Sequence, residues 1–251
     1  MIEHPEVLFF FFGIALLYSS VGFGGGSSYL AILALYGFEY DFLRFSALAC
    51  NIIVVLGGTW ILYREGHLKW KKMWPIILAS VPMAFLGGRI RIAEEAFFVL
   101  LGFTLLVAGL MIFVRKRDTP RSEVSSVGKR RLLNGTMGGG IGLLSGMVGI
   151  GGGIFLSPVL HLLHWDTAKK IAATCSAFIL VNSIAGISGL LSRGTFGLDW
   201  KMISLLLLCV LVGGQIGSRI GAHKLSPLLV RRLTAVLIIF VSVRILWEYL
   251  G

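Results

Sequence analysis

The sequence predicts an all-α membrane protein whose chain crosses the bilayer several times. Hydrophobic residues make up 56% of the 251 residues and charged residues only 14%, and the mean hydropathy is +0.87. Soluble domains carry about 25% charged residues, and a run of about 20 apolar residues spans a membrane as a helix. Eight apolar blocks follow one another along the chain, at 6–36, 44–63, 73–88, 95–114, 132–163, 171–191, 202–218 and 228–249.

The first four blocks resemble the last four. GFGGG at Gly22–Gly26 matches GIGGG at Gly149–Gly153, and GGRI at Gly87–Ile90 matches GSRI at Gly217–Ile220. Two related halves in a polytopic membrane protein are typical of secondary transporters. We therefore divide the chain into a first repeat at 1–114, a basic cytoplasmic linker at 115–131 and a second repeat at 132–251.

The distribution of Lys and Arg predicts the topology. Basic loops lie in the cytoplasm, and this rule explains the net charge of +11 better than nucleic-acid binding does. The loops 64–72, 115–131 and 219–232 share one side only if the two glycine-rich blocks enter and leave the membrane on the same side. Each repeat then has one re-entrant element broken by glycine and three transmembrane helices. Because three is odd, the repeats are inverted and both termini lie outside; eight full crossings are the alternative.

The glycine runs predict two helix breaks inside the membrane. Irregular backbone is tolerated in a bilayer only within protein or beside a polar cavity. Glycine permits the positive φ of a sharp turn, and Ser27 and Ser28 suit the N-cap of a helix that begins after the first run. A helix N-terminus at this depth presents free N–H groups and the positive end of its dipole. The two runs therefore predict an anion site near the midplane, with close helix packing as the alternative.

Small polar side chains recur in the second apolar block of each repeat. They could donate hydrogen bonds to an oxyanion or bond between helices, and Asn51 is expected about two turns from the outer end of its helix. With the glycine elements they form the predicted substrate-binding set: Gly24, Gly25, Gly26, Ser27, Ser28, Ser46, Asn51, Gly151, Gly152, Gly153, Ile154, Phe155, Thr174, Ser176 and Asn182.

Two arginines occupy matching positions at the ends of apolar blocks. Arg89 and Arg219 belong to the GGRI and GSRI motifs. Because arginine binds oxyanions strongly, a role in an anion vestibule stands beside that of an interfacial anchor. Arg44 is expected to pair with Asp41, three residues earlier.

The residues predict no enzyme, no cofactor and no metal site. Cys50, Cys175 and Cys209 lie in apolar segments without metal-ligand spacing. Cys50 and Cys175 occupy nearly equivalent places in the two repeats, where a small buried hydrophobic role is favoured over contact of the thiol with a sulfur anion. His161 and His164 follow the second glycine element, where a boundary position is favoured over proton coupling.

The two copies of G-x-GGG, the second followed by Ser157-Pro158, resemble the TauE/SafE sulfite exporter family across essentially the whole chain. The first copy departs from the pattern, since Ala31 stands where Pro158 stands in the second. The resemblance implies a secondary transporter of the cytoplasmic (inner) membrane whose partners are the lipid bilayer and a small anion, sulfite or an organosulfonate. An anion channel and a membrane assembly factor without transport are the alternatives, and the packing glycines would also suit a homodimer interface.

Overall fold

The computed structural model describes residues 4–19, 24–114, 127–163, 165–194, 197–221 and 227–250, and these residues fold entirely as helices joined by short connections. The all-α prediction is therefore confirmed for this part of the chain. Helices suit the apolar runs because a helix satisfies its own backbone hydrogen bonds in lipid. The helices are α1 (Glu6–Ser19), α2 (Gly26–Leu35), α3 (Tyr40–Arg64), α4 (Trp70–Arg89), α5 (Glu94–Val114), α6 (Val127–Val148), α7 (Gly153–Leu162), α8 (Ala168–Leu191), α9 (Trp200–Gly221) and α10 (Pro227–Leu250).

Each glycine-rich block contains two helices, as predicted. α1 ends at Ser19 and α2 begins at Gly26, while α6 ends at Val148 and α7 begins at Gly153. Five of the described helices thus precede, and five follow, the segment 115–126, which holds most of the predicted linker and lies outside the described residues.

Three of the described helices are long and apolar enough to cross a membrane. These candidate spans are Tyr40–Arg64, Lys169–Leu191 and Trp200–Arg219, in α3, α8 and α9. Large apolar side chains also face outward, among them Leu78, which is 60% exposed, and Phe240, which is 62% exposed. Apolar surface of this kind fits contact with lipid, and the fold is that expected of a polytopic membrane protein.

The helix contacts have an approximate two-fold pattern. α4 packs on α6 as α9 packs on α1, and α4 contacts α8 as α9 contacts α3. α2 lies on α3 as α7 lies on α8, while α3 with α8 and α5 with α10 form pairs across the halves. Exchanging α1–α5 for α6–α10 therefore maps each contact within this set onto another, and maps the α3–α8 and α5–α10 pairs onto themselves.

A glycine stripe lets α6 approach α4 at backbone distance. Gly138, Gly142 and Gly146 lie against the backbone of Ile76, Ser80 and Ala84. The residue numbers rise together, so the two helices run parallel. Gly213 and Gly217 of α9 lie in the same way against Phe12 and Leu16 of α1. Close packing, the alternative explanation for membrane glycines, is thus correct for these stripes.

One end of the bundle, here called the Asp41 end, contains the start of α1 and the connection from α2 to α3. His4 lies before α1 and packs on Tyr36, which follows α2, with ring centroids 5.0 Å apart. Asp41 of α3 forms a 3.3 Å ion pair with Arg193, which follows α8. The first glycine-broken element therefore begins and ends at the Asp41 end.

The opposite end, here called the Asp166 end, is reached through the 25 residues of α3. Lys72, at the start of α4, donates a 2.7 Å hydrogen bond to Asp166, which lies between α7 and α8. The early residue Gly135 of α6 lies near Pro75 of α4, so α6 also starts here. The second glycine-broken element therefore begins and ends at the Asp166 end.

Candidate functional site

The two helix breaks meet at the middle of α3, around Asn51. This side chain is fully buried, and its Nδ2 donates a 2.9 Å hydrogen bond to the carbonyl of Ile150 in the second break. A Cβ on Gly24 would lie 2.6 Å from Asn51 Oδ1, and one on Gly151 would lie 2.8 Å from Nδ2. One side chain thus touches both breaks.

Asn51 lies deeper than the sequence predicts. α3 begins at Tyr40, before the start of the predicted block at 44, so Asn51 stands about three turns into the helix instead of two. That prediction was wrong because the helix extends through the polar residues ahead of the apolar run. The deeper position places Asn51 at the centre of a 25-residue helix.

In the described part of the first break, the glycines are required by close approach. A Cβ on Gly26 would overlap Asn51 Nδ2 and lie 2.6 Å from the carbonyl oxygen of Ile150, and one on Gly25 would lie 2.7 Å from Ile14 Cγ2. Gly25 has an ordinary φ of −95°. Residues 24–26 therefore need small side chains, because Asn51 lies against Gly24 and Gly26, Ile14 lies against Gly25, and the second break passes beside Gly26.

In the second break, the glycines are required by the backbone turn. Gly149, Gly151 and Gly152 have φ values of +88°, +81° and +80°, a region that residues with a Cβ adopt only with strain. The predicted sharp turn is confirmed here. It directs α7 back toward the Asp166 end.

The helices after the breaks, α2 and α7, begin without side-chain caps. Their N-cap residues are Gly25 and Gly152, and neither has a side-chain hydrogen bond to the first turn. The prediction that Ser27 or Ser28 caps α2 is therefore wrong, because α2 already begins at Gly26. The Ser28 hydroxyl lies 2.7 Å from the Tyr18 hydroxyl instead. The first-turn amides of both helices thus receive no hydrogen bond from an N-cap side chain.

Two buried serines, Ser145 and Ser183, lie beside the second break. The sequence did not predict them as site residues. Ser145 Cβ is 3.1 Å from a Cβ built on Gly152, and Ser183 Oγ is 3.0 Å from one built on Gly151. Both residues are 0% exposed, and neither hydroxyl has a hydrogen-bond partner among the described residues. Buried polar groups are normally bonded, so hydroxyls left unsatisfied beside a break indicate a place for a polar ligand. Ser145 could have been noticed because it stands four residues before Gly149.

The other predicted residues of the second repeat lie on α7 and α8. Phe155 is buried in the first turn of α7 next to half-buried Ile154. Asn182 precedes Ser183, donates its amide to the Phe178 carbonyl and leaves Oδ1 without a partner.

The predicted hydroxyl residues of α3 and α8 differ in their bonding. The hydroxyl of Ser46 in α3 is buried without a hydrogen-bond partner. Thr174 bonds within its own helix, to the carbonyl of Lys170 at 2.9 Å. Thr174 and Ser176 are both fully buried and lie about two turns from Asn182 along α8.

Arg89 and Arg219 both lie exposed in the last turn of their helices, α4 and α9. A cation at a helix C-terminus interacts favourably with the helix dipole. Their predicted role in an anion vestibule stays a prediction.

Arg44 is far more buried than its position near a helix start indicates. It is 1% exposed, and Asp41 Oδ1 lies 3.7 Å from its Nη1, which confirms the expected pair. Its Nη2 also donates to the carbonyls of Gly87, Gly88 and Gly146, at 3.2, 3.0 and 2.9 Å. Arg44 therefore connects α3 with α4 and with α6 of the other half.

The cysteines and histidines take no part in the contacts described above at the two helix breaks. Cys50 and Cys175 are buried in two different apolar clusters, as small hydrophobic side chains would be. His161 is half-buried near the end of α7, and His164 lies outside the described residues. Among the residues that were placed, no group of three or more potential metal ligands occurs.

A family model and several known proteins match this chain. The family model for the sulfite exporter TauE/SafE matches residues 7–245. A "Probable membrane transporter protein y4hK" from Sinorhizobium fredii is 33% identical over 239 residues, which cover 94% of this chain and 96% of that protein. "Probable membrane transporter protein MJ0441" from Methanocaldococcus jannaschii is 23% identical over 240 residues, or 89% of this chain and 88% of that protein. No solved structure matches the chain.

Proposed function

The chain belongs to the TauE/SafE sulfite exporter family, and on this premise we propose that it is a secondary transporter that moves sulfite or organosulfonates across the cytoplasmic membrane. The proposal rests on one observation: two uncapped helix N-termini meet at Asn51, in the middle of α3. Relatives in bacteria and an archaeon bear the name of membrane transporters, which supports transport over an assembly role.

The chemistry of this meeting point favours an anion. Helix N-termini attract negative charge through their free amides and dipoles. The unpaired hydroxyls of Ser46, Ser145 and Ser183 can donate further hydrogen bonds. A sulfite or sulfonate group has three oxygen atoms that accept such bonds from several directions. We therefore place the substrate among Gly24–Ser28, Gly151–Phe155 and these side chains.

The architecture supports inverted repeats. The first glycine-broken element begins and ends at the Asp41 end, and the second at the Asp166 end. Eight full crossings would put the α2–α3 and α8–α9 connections on opposite sides of the membrane. The ion pair between Asp41, at the start of α3, and Arg193, after α8, instead brings the two connections together at one end. We propose that the basic Asp166 end faces the cytoplasm and that the two elements are re-entrant from opposite sides. An inverted pair of this kind suits alternating access to a midplane site.

Flux measured in proteoliposomes tests this proposal. Wild-type protein should take up sulfite or an organosulfonate with saturation, and acetate and sulfate should compete weakly. Asn51→Leu should reduce flux at least tenfold, because it removes the polar group shared by both breaks. Asn134→Leu is the matched control, since Asn134 is a buried asparagine in α6 (9% exposed) near the Asp166 end.

Each outcome decides one part of the proposal. Flux that rises linearly with concentration would favour a channel. Equal flux of acetate and sulfite would refute the substrate class. Normal flux in Asn51→Leu would refute the site, and no flux of any anion would turn the interpretation toward an assembly role.

A further inference from the structure

We propose that Arg44 forms a second anion-binding position at the Asp41 end, which receives the substrate before it reaches Asn51. Asp41 lies beside this position, 3.7 Å from Arg44 Nη1, and its negative charge competes with an anion that binds there. The ligand is a small oxyanion of the class transported. This inference rests on the proposed function and adds an entry position to it.

Arg44 carries donors that the protein does not use. The side chain is 1% exposed, and three backbone carbonyls accept from Nη2 alone. Within the described part of the chain, Nε and Nη1 have no hydrogen-bond partner. Buried charged groups are normally paired and hydrogen-bonded, and neutral carbonyls do not neutralise a guanidinium. The unused N–H groups therefore point to an anion that binds and leaves.

Asp41 does not supply that anion fully. Its Oδ1 lies 3.3 Å from Arg193 Nη1, within hydrogen-bond reach, but 3.7 Å from Arg44 Nη1, which is too long for a hydrogen bond. Arg193 also donates to the Tyr40 hydroxyl, a neutral group, at 3.5 Å. One carboxylate thus faces two arginines and is within hydrogen-bond reach of Arg193 but not of Arg44. An incoming oxyanion would accept from the unused N–H groups of Arg44 while Asp41 stays with Arg193.

The position of Arg44 connects it to the proposed substrate site. Gly149, the first glycine of the second break, packs on Arg44, since a Cβ there would lie 2.9 Å from Arg44 Cα. Asn51 stands seven residues later on α3, about two turns on and on the same helix face. Asn51 contacts Ile150 and Gly151 of the same break. Arg44 and Asn51 thus lie on one face of α3 and both contact the second break, and the proposal has the anion pass from the first to the second along this break.

The test is sulfite binding to the purified full-length protein, measured by isothermal titration calorimetry. Asp41→Asn removes the competing charge without touching the bonds from Arg44 to the carbonyls, so it should lower the Kd for sulfite by about tenfold. A gain in affinity cannot come from misfolding. Glu39→Gln is the matched control: Glu39 is exposed at the N-cap of the same helix, and this variant should leave the Kd unchanged.

Two Arg44 variants complete the design. Arg44→Lys keeps a charge and donors for the carbonyls but loses the spare guanidinium donors, so sulfite should bind more weakly than to wild type. Arg44→Gln should lose the gain when combined with Asp41→Asn. An unchanged or higher Kd in Asp41→Asn, or an equal gain in Glu39→Gln, overturns the inference.

The outcomes also separate this inference from the proposed function. If wild type binds sulfite, Asn51→Leu abolishes binding and Asp41→Asn leaves it unchanged, only the Arg44 position is refuted. If neither wild type nor Asp41→Asn binds sulfite, thiosulfate, sulfoacetate or taurine, both proposals fall.

Discussion

Asp166 accepts a 2.7 Å hydrogen bond from Lys72, so the segment that enters α8 is fixed to the start of α4 in the other half. At the opposite end, Asp41 is paired with Arg193, which fixes the start of α3 to the segment after α8. Each aspartate also pairs with a cation three or four residues later in the chain, Asp166 with Lys170 of α8 and Asp41 with Arg44 of α3. The two halves are thus joined by an aspartate between two cations at each end, and alternating access would require these contacts to loosen in turn.

The first prediction concerns the pH dependence of the Asp166 contacts. Partial burial alone would raise the pKa of Asp166, but hydrogen bonds from Lys72, the Thr167 N–H and Lys170 lower it to about 2. The value for an unfolded chain is about 3.9. The stabilisation is therefore present above about pH 4 and is lost as the pH falls toward 2.

Melting of the purified protein checks this. Asp166→Asn should lower the Tm at pH 7, by an amount equivalent to about 1 kcal/mol or less because Lys72 is partly exposed to screening solvent. The difference from wild type should vanish between about pH 4 and pH 2. Glu65→Gln removes an exposed carboxylate at the same end and is the control for net charge. A Tm difference that persists unchanged at pH 2 would contradict the assignment.

The second prediction concerns Gly26. Alanine there would overlap Asn51 Nδ2 and lie 2.6 Å from the Ile150 carbonyl oxygen, so it should reduce transport at least tenfold and cost about 1–3 kcal/mol of stability. Gly13→Ala is the control, because Gly13 lies in α1 with open space around its Cα. That change should leave transport intact and stabilise the helix by about 0.5–1 kcal/mol.

Flux and Tm are measured on both variants. Normal transport by Gly26→Ala would show that the close approach of Asn51 and Ile150 to Gly26 is not needed for transport. Valine at Gly152 is a less informative change. Gly152 has a φ of +80°, so any side chain there strains the backbone and disturbs the fold together with the site.

The sequence predicts the helix breaks because three glycines in a row are costly in a helix and the pattern occurs twice. Asn51 could also be selected, as a polar residue in the middle of an apolar run. The depth of Asn51 within its helix could not be predicted, because hydropathy places the start of the apolar block at residue 44 whereas α3 begins at Tyr40.

Arg44 shows what a linear pattern leaves out. Its spacing from Asp41 predicts an ion pair, and that pair exists. The three carbonyls that hold its Nη2 come from α4 and α6, and only the packing of those helices brings them together. Ser145 is likewise not evident from the sequence, because it stands in a glycine-rich stretch whose glycines indicate close helix packing.

The third prediction separates binding from folding at Ser145 and Ser183. Neither hydroxyl has a hydrogen-bond partner, so replacing either serine with alanine removes an unsatisfied group and should leave the Tm equal or slightly higher. If these hydroxyls donate to the substrate, the KM for sulfite should rise several-fold in each variant. Ser242→Ala gives the opposite pattern as a control: its hydroxyl donates to the Ile239 carbonyl at 2.8 Å, so stability should fall slightly while KM stays constant. Unchanged KM values in both Ser145→Ala and Ser183→Ala would assign these serines to packing.

The fourth prediction concerns the sidedness of the two ends. Single cysteines at Glu39 and Gly197, in the α2–α3 and α8–α9 connections, should react with a membrane-impermeant maleimide added to intact cells. Cysteines at Lys69 and Lys169, at the other end, should react only after permeabilisation. All four positions are exposed, and the native Cys50 and Cys175 are buried, so only Cys209 needs replacement in the background. The proposed re-entrant arrangement would place residues 39 and 197 on one side, because each glycine element would return to the side it entered. Eight full crossings would place them on opposite sides, so labelling of one position without the other would refute the inverted topology.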